Sequence, residues 1–355
     1  MISVCIITKN ERKFLSENLQ ILKKYPCEVV VVDTGSTDGS IEVAKKYANI
    51  FGEYEWCDDF ASAKNYAVSL ASNSVIAILD TDEYIQESDF GYIEKKLSEN
   101  PYVIGRMKCL SPHFIGNEQK VGIDYISRIF DRRYYHFEGR IHEQLVLNKD
   151  KNFSGYAREM FDAPLVVRHL GYLQIGEEKH QKAKRNINLL RKELTENPDD
   201  CYILYQLGKA YMYDDDEESA LSCFEQTFEK ELNAENPWVI DLIVNVGGLY
   251  ISTGQKEKAL TLECLDKEFP NSSDYHFMMG CVCMQNALFD RAIEYFIAAT
   301  RMPEGQIEGN NSYNAFYNIG VIYECLGNIQ EAIIYYMKCG NFNKAVEGIK
   351  RLTVY

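Results

Sequence analysis
The run Val29-Val30-Val31-Val32-Asp33-Thr34-Gly35-Ser36-Thr37-Asp38-Gly39-Ser40 leaves this chain few folds to choose from. Four successive β-branched residues have no polar face, the pattern of a strand buried on both sides of a parallel sheet. The strand ends in an acid, Asp33, and a polar turn leads into a helical face of Ile41, Val43, Ala44 and Tyr47. Such a unit sets Asp33 at the carboxyl end of a central strand, where open α/β sheets bind ligands. The alternative is an ordinary strand–helix unit whose Asp and Ser only cap the helix.

The chain on either side extends the same pattern. Ile2–Ile7 reads as a first buried strand, and not as the core of a signal peptide, because it runs straight into Thr8-Lys9-Asn10-Glu11. A helix follows with Phe14, Leu15, Leu19 and Leu22 inward. Two strand–tip–helix units build a mononucleotide-binding half. No GxGxxG or GxxxxGK[ST] follows, which argues against a dinucleotide cofactor and a P-loop. Asp58 and Asp59 open a third helix, where acids suit the helix dipole. Lys64 and Asn65 fall on its first turns, within reach of a phosphate and a sugar. Val75–Leu79 is another buried strand, ending in Asp80-Thr81-Asp82-Glu83. Two carboxylates at a buried strand tip repel each other and lose solvation. A divalent cation removes that penalty, and hard oxygen ligands suit Mg²⁺ or Mn²⁺ with diphosphate oxygens in the shell. A solvated acidic turn is the other reading.

In this order and spacing TKNE, VDTGSTDGS, WCDDFASAKN and LDTDEY resemble the successive motifs of family 2 glycosyltransferases with a GT-A fold. The likeness is to a cytosolic group that includes lipopolysaccharide core glucosyltransferases, flagellin glycosyltransferases and the S-glycosyltransferases of glycopeptide bacteriocins. It covers roughly the first half of the chain and implies an inverting, metal-dependent transferase with a UDP-sugar as donor. It further implies that Thr8, Asn10 and Glu11 line the nucleoside pocket, and that Asp33 contacts the uracil with Gly35 and Ser36 beside it. Asp80 and Asp82 become the DxD pair, with Asp82 the direct metal ligand.

Residues 102–137 read as short strands and loops, with Tyr102–Lys108 and Tyr125–Phe130 the clearest. Arg128, Arg132 and Arg133 form a basic stretch that either faces an anion or lies on a solvated strand edge. Gly139-Arg140-Ile141-His142-Glu143 resembles the G-x-[IV]-H-E element of the same group. An inverting displacement needs one base for the acceptor proton. Glu143 is the expected base, with His142 as neighbour or substitute and Glu138, Asp124 and Asp131 next in line. The ED pair that many family 2 enzymes carry at this position is absent. The resemblance also puts a His near the end of the GT-A unit, at the metal shell or the diphosphate, and His169 in Leu165–Tyr172 fits.

The second half is a repeat. Gly208, Gly247, Gly280 and Gly320 are each followed 12 residues later by an alanine, namely Ala220, Ala259, Ala292 and Ala332. Tyr211, Tyr250 and Tyr323 and the rings Phe224, Phe296 and Tyr336 complete four tetratricopeptide units. Small residues let paired helices approach, and the rings fill the gaps between repeats. Asn341–Leu352 reads as a final capping helix. The expected organisation is an α/β GT-A domain over 1–175, a charged helical connector over 176–198 and an all-α repeat domain over 199–355.

Net charge is −15, of which −5 falls in residues 1–180 and −10 in residues 181–355, so a general nucleic-acid binder is not expected. Eleven dispersed cysteines without a CxxC pair read as reduced thiols of a cytoplasmic protein. No apolar run approaches the length of a membrane span. The expected reaction moves a hexose or N-acetylhexosamine to a peptide or protein side chain through O or S, with flagellin or a bacteriocin precursor as examples. The alternatives are a lipopolysaccharide core or other glycan as acceptor, and a repeat scaffold carrying a dead transferase. A peptide groove, a spacer and a homodimer interface all fit the repeats.

Overall fold
The structure, a computed structural model, describes residues 1–115, 118–148, 159–171 and 176–353. It divides into two compact units, Met1–Lys179 and His180–Tyr355. The stretch 172–175, where the first domain was expected to end, lies outside the described residues.

The first unit runs β1 (Ile2–Thr8), α1 (Arg12–Leu22), β2 (Cys27–Asp33), α2 (Ser40–Tyr47), β3 (Ile50–Glu53), α3 (Phe60–Leu70), β4 (Val75–Ile78), β5 (Glu83–Ser88), α4 (Phe90–Glu99), β6 (Ile104–Ile115), β7 (Glu118–Asp131), β8 (Tyr135–Glu138), β9 (Gln144–Leu147) and β10 (Met160–His169). One sheet has the order β3-β2-β1-β4-β7-β6-β10-β5, and β8 with β9 makes a separate hairpin. Strands β3, β2, β1 and β4 are parallel. Antiparallel β7 sits between β4 and β6, and β10 runs parallel to β6 and antiparallel to β5. This is the α/β, GT-A-like arrangement.

The valine run explains the layering. Val29 and Val31 pack with Leu15, Leu19, Ala44 and Ile93 on one face of the sheet. Val30 and Val32 pack with Ala61, Ala67, Phe137 and Leu145 on the other. Each buried valine contributes on the order of 1.5–3 kcal/mol, so both faces must be covered. Residues 102–137 differ from expectation: β6 and β7 are 12 and 14 residues long and pair along most of their length. Arg106, Lys108, Asp124 and Tyr125 are partly or fully exposed, so the strands lack the apolar density that marks a strand in sequence.

The second unit contains α5 (Glu177–Glu196) from His180 onward, then α6 (Cys201–Tyr213), α7 (Glu217–Phe228), α8 (Pro237–Ser252), α9 (Lys256–Ala259) continued by a 3₁₀ turn (Leu260–Leu265), α10 (Ser273–Gln285), α11 (Phe289–Ala299), α12 (Tyr313–Cys325), α13 (Ile329–Lys338) and α14 (Asn343–Thr353). Most of the charged helix expected as a connector therefore counts with the second unit: Ala183 and Leu190 are buried, and Arg191 bonds the Tyr211 hydroxyl. Ala220, Ala259, Ala292 and Ala332 are all fully buried. A Cβ on Gly208, Gly280 or Gly320 would stand 2.3, 2.6 or 2.6 Å from the ring of Phe224, Phe296 or Tyr336, each 16 residues on. The second repeat breaks this rule. Glu263 stands at the ring position, Gly247 faces the flexible Met278 instead, and the second helix shortens to one turn plus the 3₁₀ segment.

One regularity went unread in the sequence. Seven residues after each repeat glycine the chain turns with φ of 62, 77, 58 and 78°, at Asp215, Gly254, Ala287 and Gly327. Glycine adopts this left-handed turn without strain, and alanine does not. Among the described residues no helix is long and apolar enough to cross a membrane.

Candidate active site
At the sheet's carboxyl end, Thr8 and Asp33 are register partners on β1 and β2. Asp33 is buried, and its Oδ1 accepts bonds from the Gly35 and Ser36 amides at 2.9 and 2.8 Å. Its Oδ2 and the neighbouring Thr8 Oγ1 are buried with no partner among the described residues. A buried polar atom left unpaired costs about 1–3 kcal/mol, so the pair is a ready place for a ligand's polar edge. Gly35 has φ +102° and open space where a side chain would stand. The Asn10 amide donates to Ser36 Oγ at 2.8 Å and its Oδ1 accepts from the Thr37 amide at 2.7 Å, tying the two loops together. The Glu11 amide donates to Ser40 Oγ at 3.2 Å and completes that frame.

Beside this pocket the chain buries charge. The side-chain amide of Asn18, itself fully buried, donates to the carbonyls of Asp80, Thr81 and Glu83 at 3.3, 3.0 and 2.9 Å and fixes the acidic turn. Lys64, 3 % exposed, lies 3.5 Å from Asp80 Oδ1 and also pairs with Glu143. Arg128 reaches Asp80 Oδ2 and Glu83 Oε2, each at 2.9 Å. Burial alone would push the Asp80 carboxyl up, but Arg128 and Lys64 hold it well below the usual carboxylate range. Burial does prevail at Glu83, whose carboxyl is pushed up despite Arg128. His169 Nε2 stands 3.4 Å from Asp82 Oδ1. Burial would lower that imidazole, and the Asp82 contact instead holds it well above its ordinary value.

The structure thus brings Lys64, Asp80 and Glu143 together, and Asp82 with His169. Asn65 is engaged within the fold. The Asn65 side chain both donates to the Phe137 carbonyl and accepts from the Phe137 amide, at 2.9 Å each, locking α3 to β8. His142 sits in a left-handed turn with φ 52°, its carbonyl accepting from Gln144 Nε2 at 2.9 Å. Among the reserve bases, Asp131 is engaged by Arg133 at 2.6 Å and Glu138 by His136 at 3.0 Å, while Asp124 lies exposed on β7.

The three arginines of the basic stretch part company. Arg128 enters the acidic cluster, Arg132 donates to the Val68 carbonyl at 2.9 Å, and Arg133 holds Asp131. Sequence reasoning left Arg128 between two readings and missed Glu83 and Asn18 as parts of the site. Asn18 had a signal, a polar residue beside the inward Leu15, Leu19 and Leu22. Glu83 directly follows the DxD pair and had one too.

Residues 3–162 match the model of glycosyl transferase family 2, and residues 313–347 match a tetratricopeptide repeat. The SPbeta prophage-derived glycosyltransferase SunS of Bacillus subtilis is 25% identical over 296 residues, covering 80% of this chain and 67% of that protein. A TPR repeat-containing protein of Synechococcus elongatus is 26% identical over 226 residues, covering 62% of this chain and 54% of its own length. Among solved structures, MamA aligns over 52% of this chain and 99% of its own at 23% identity, with a TM-score of 0.38.

Proposed function
We propose that this chain, which joins a glycosyl transferase family 2 domain to tetratricopeptide repeats, moves a hexose or N-acetylhexosamine from a UDP-sugar to a polypeptide side chain. The observation that carries the reading is Lys64, one buried ammonium between Asp80 on the donor side and Glu143, the proposed base. That contact puts the two halves of a displacement within the span of a single side chain.

In this reading Thr8 and Asp33 offer their unpartnered oxygens to the nucleoside, framed by Asn10, Glu11, Gly35 and Ser36. Lys64 and Arg128 meet the charge of the diphosphate. Asp80, Asp82 and His169 are the residues to hold Mn²⁺ or Mg²⁺. Two carboxylates and an imidazole fit such an ion, and Asp82 and His169 already lie side by side. When bound, the cation acts as a Lewis acid on the diphosphate leaving group. Glu143 takes the acceptor proton as the new bond forms at the anomeric carbon, while the electrons of the broken sugar–phosphate bond leave with UDP. The repeats support a polypeptide acceptor, because stacked helix pairs present an extended binding surface.

Two measurements test this. Calorimetry should show UDP binding with Mn²⁺ and its loss in EDTA; equal affinity in both removes the metal role. Mass spectrometry should show a hexose-sized addition on a flagellin or bacteriocin-precursor peptide given the full chain, Mn²⁺ and UDP-sugar. Transfer only to a lipopolysaccharide core would reassign the acceptor.

A further inference from the structure
We propose that Glu83, Cys109 and His169 form a second cation site, for a thiophilic divalent ion such as Zn²⁺, and that filling it draws His169 away from Asp82. The site itself stands on geometry alone. Its regulatory consequence rests on the reading of Asp82 and His169 as part of the donor's metal shell.

Strand register builds the cluster. His169 on β10 lies directly opposite Glu83 on β5. Cys109 on β6 lies opposite Val167, two residues before His169 and so on the same face of β10. The three ligand atoms are within 4.8 Å of one another. Glu83 and Cys109 are buried, and the His169 side chain, 15% exposed, is the approach from solvent.

Glu83 supplies the observation that points to a ligand. Its Oε2 is taken by Arg128 at 2.9 Å and by the Asp80 amide at 2.8 Å. Its Oε1 is buried with no partner among the described residues, and a carboxylate oxygen of Glu83 lies within 4.8 Å of the Cys109 thiol and a His169 ring nitrogen. A cation would satisfy that oxygen. Arg128 orients the Glu83 carboxylate as an outer-shell partner of a metal ligand does.

Chemistry separates this site from the DxD acids. Thiolate and imidazole select Zn²⁺ over Mg²⁺, whereas the oxygens of Asp80 and Asp82 favour the harder ions. Zn²⁺ replaces the Cys109 thiol proton, which passes to solvent, and three protein ligands leave a fourth position for water. Tetrahedral bonds of about 2.0–2.3 Å draw the three ligand atoms, which lie within 4.8 Å of one another, around the ion. Coordination through Nε2, the nitrogen that faces Asp82 Oδ1 at 3.4 Å, takes the ring off Asp82.

The test uses the full, reduced, metal-stripped chain and Co²⁺ as the spectroscopic probe. One equivalent should give a thiolate-to-cobalt charge-transfer band that Zn²⁺ displaces. Cys109→Ser should lose the band while keeping its circular dichroism, and Cys109→Ala repeats the test should the serine disturb the fold. No band in the wild type overturns the site, as does a band unchanged in both variants, which would place the ion on other cysteines. With Mn²⁺ and donor present, one equivalent of Zn²⁺ should lower sugar transfer by about 10-fold or more in the wild type and leave Cys109→Ser unaffected. Inhibition that persists in the variant overturns the regulatory consequence. A chain with no transfer under any condition would sink the donor reading, and the cobalt spectrum would still decide the site.

Discussion
The two units bury opposite things at their joints. In the first, the tips of β4 and β5 gather Asp80, Asp82 and Glu83 against Lys64, Arg128 and His169. In the second, helix pairs meet where a ring lies on a glycine. Buried charge is costly to maintain and adds little stability over apolar packing, so a fold that keeps it has a use for it. Ring-on-glycine contacts are the reverse: they specify approach distance and carry no chemistry of their own.

The sharpest way to break the contrast is to remove charge without changing shape. Glu143→Gln should lower kcat by about 10²–10⁴-fold with donor affinity nearly unchanged. A near wild-type rate would return the base to Asp124 or Glu138. Next comes the ring contact. Gly280→Ala should cost about 1–3 kcal/mol by overpacking against Phe296, read from urea unfolding. A neutral outcome would mean the helices separate at no cost. The joint turns provide a smaller gain. Ala287 adopts φ 58°, so Ala287→Gly should add about 0.4–1 kcal/mol; a loss would show that the turn is held for another reason. Last, Gly248 sits in α8 with nothing within 4 Å of where a Cβ would be. Gly248→Ala should stabilise the chain by up to about 1 kcal/mol of helix propensity, read as a slight rise in melting temperature. Gly247→Ala, against Met278, should do worse than its neighbour.

The same contrast governs what could be read from the sequence. The valines of β2 announced a doubly covered strand because every one of them is buried. The 12-residue step between glycine and alanine announced the helix pairs because each glycine lies under a side chain of the neighbouring helix and each alanine is fully buried. Neither inference needed to know what lay across the sheet. The site did. Arg128, Arg132 and Arg133 look alike in sequence, and only the packing of β7 beside β4 sends the first into the acidic cluster. Asn65 reads as a sugar-reaching amide in sequence, and only the packing of β8 shows that both its ends bond the Phe137 backbone. Cys109 and Glu83 are 26 positions apart and each ordinary in its own context. The β10 register alone makes neighbours of them.

Glu263, standing where the other repeats have a ring, also shapes how the stack behaves in time. A repeat array acts as a line of coupled spins, each unit steadied by its neighbours. With a 3₁₀ turn in place of a full second helix, this unit holds the next one through side chains: Glu263 pairs with Arg291 and Tyr295, and Asp266 takes the hydroxyls of Tyr275 and Tyr295. Amide protons of 256–265, where the second helix is cut to one turn and a 3₁₀ segment, should exchange before those of α6 or α12.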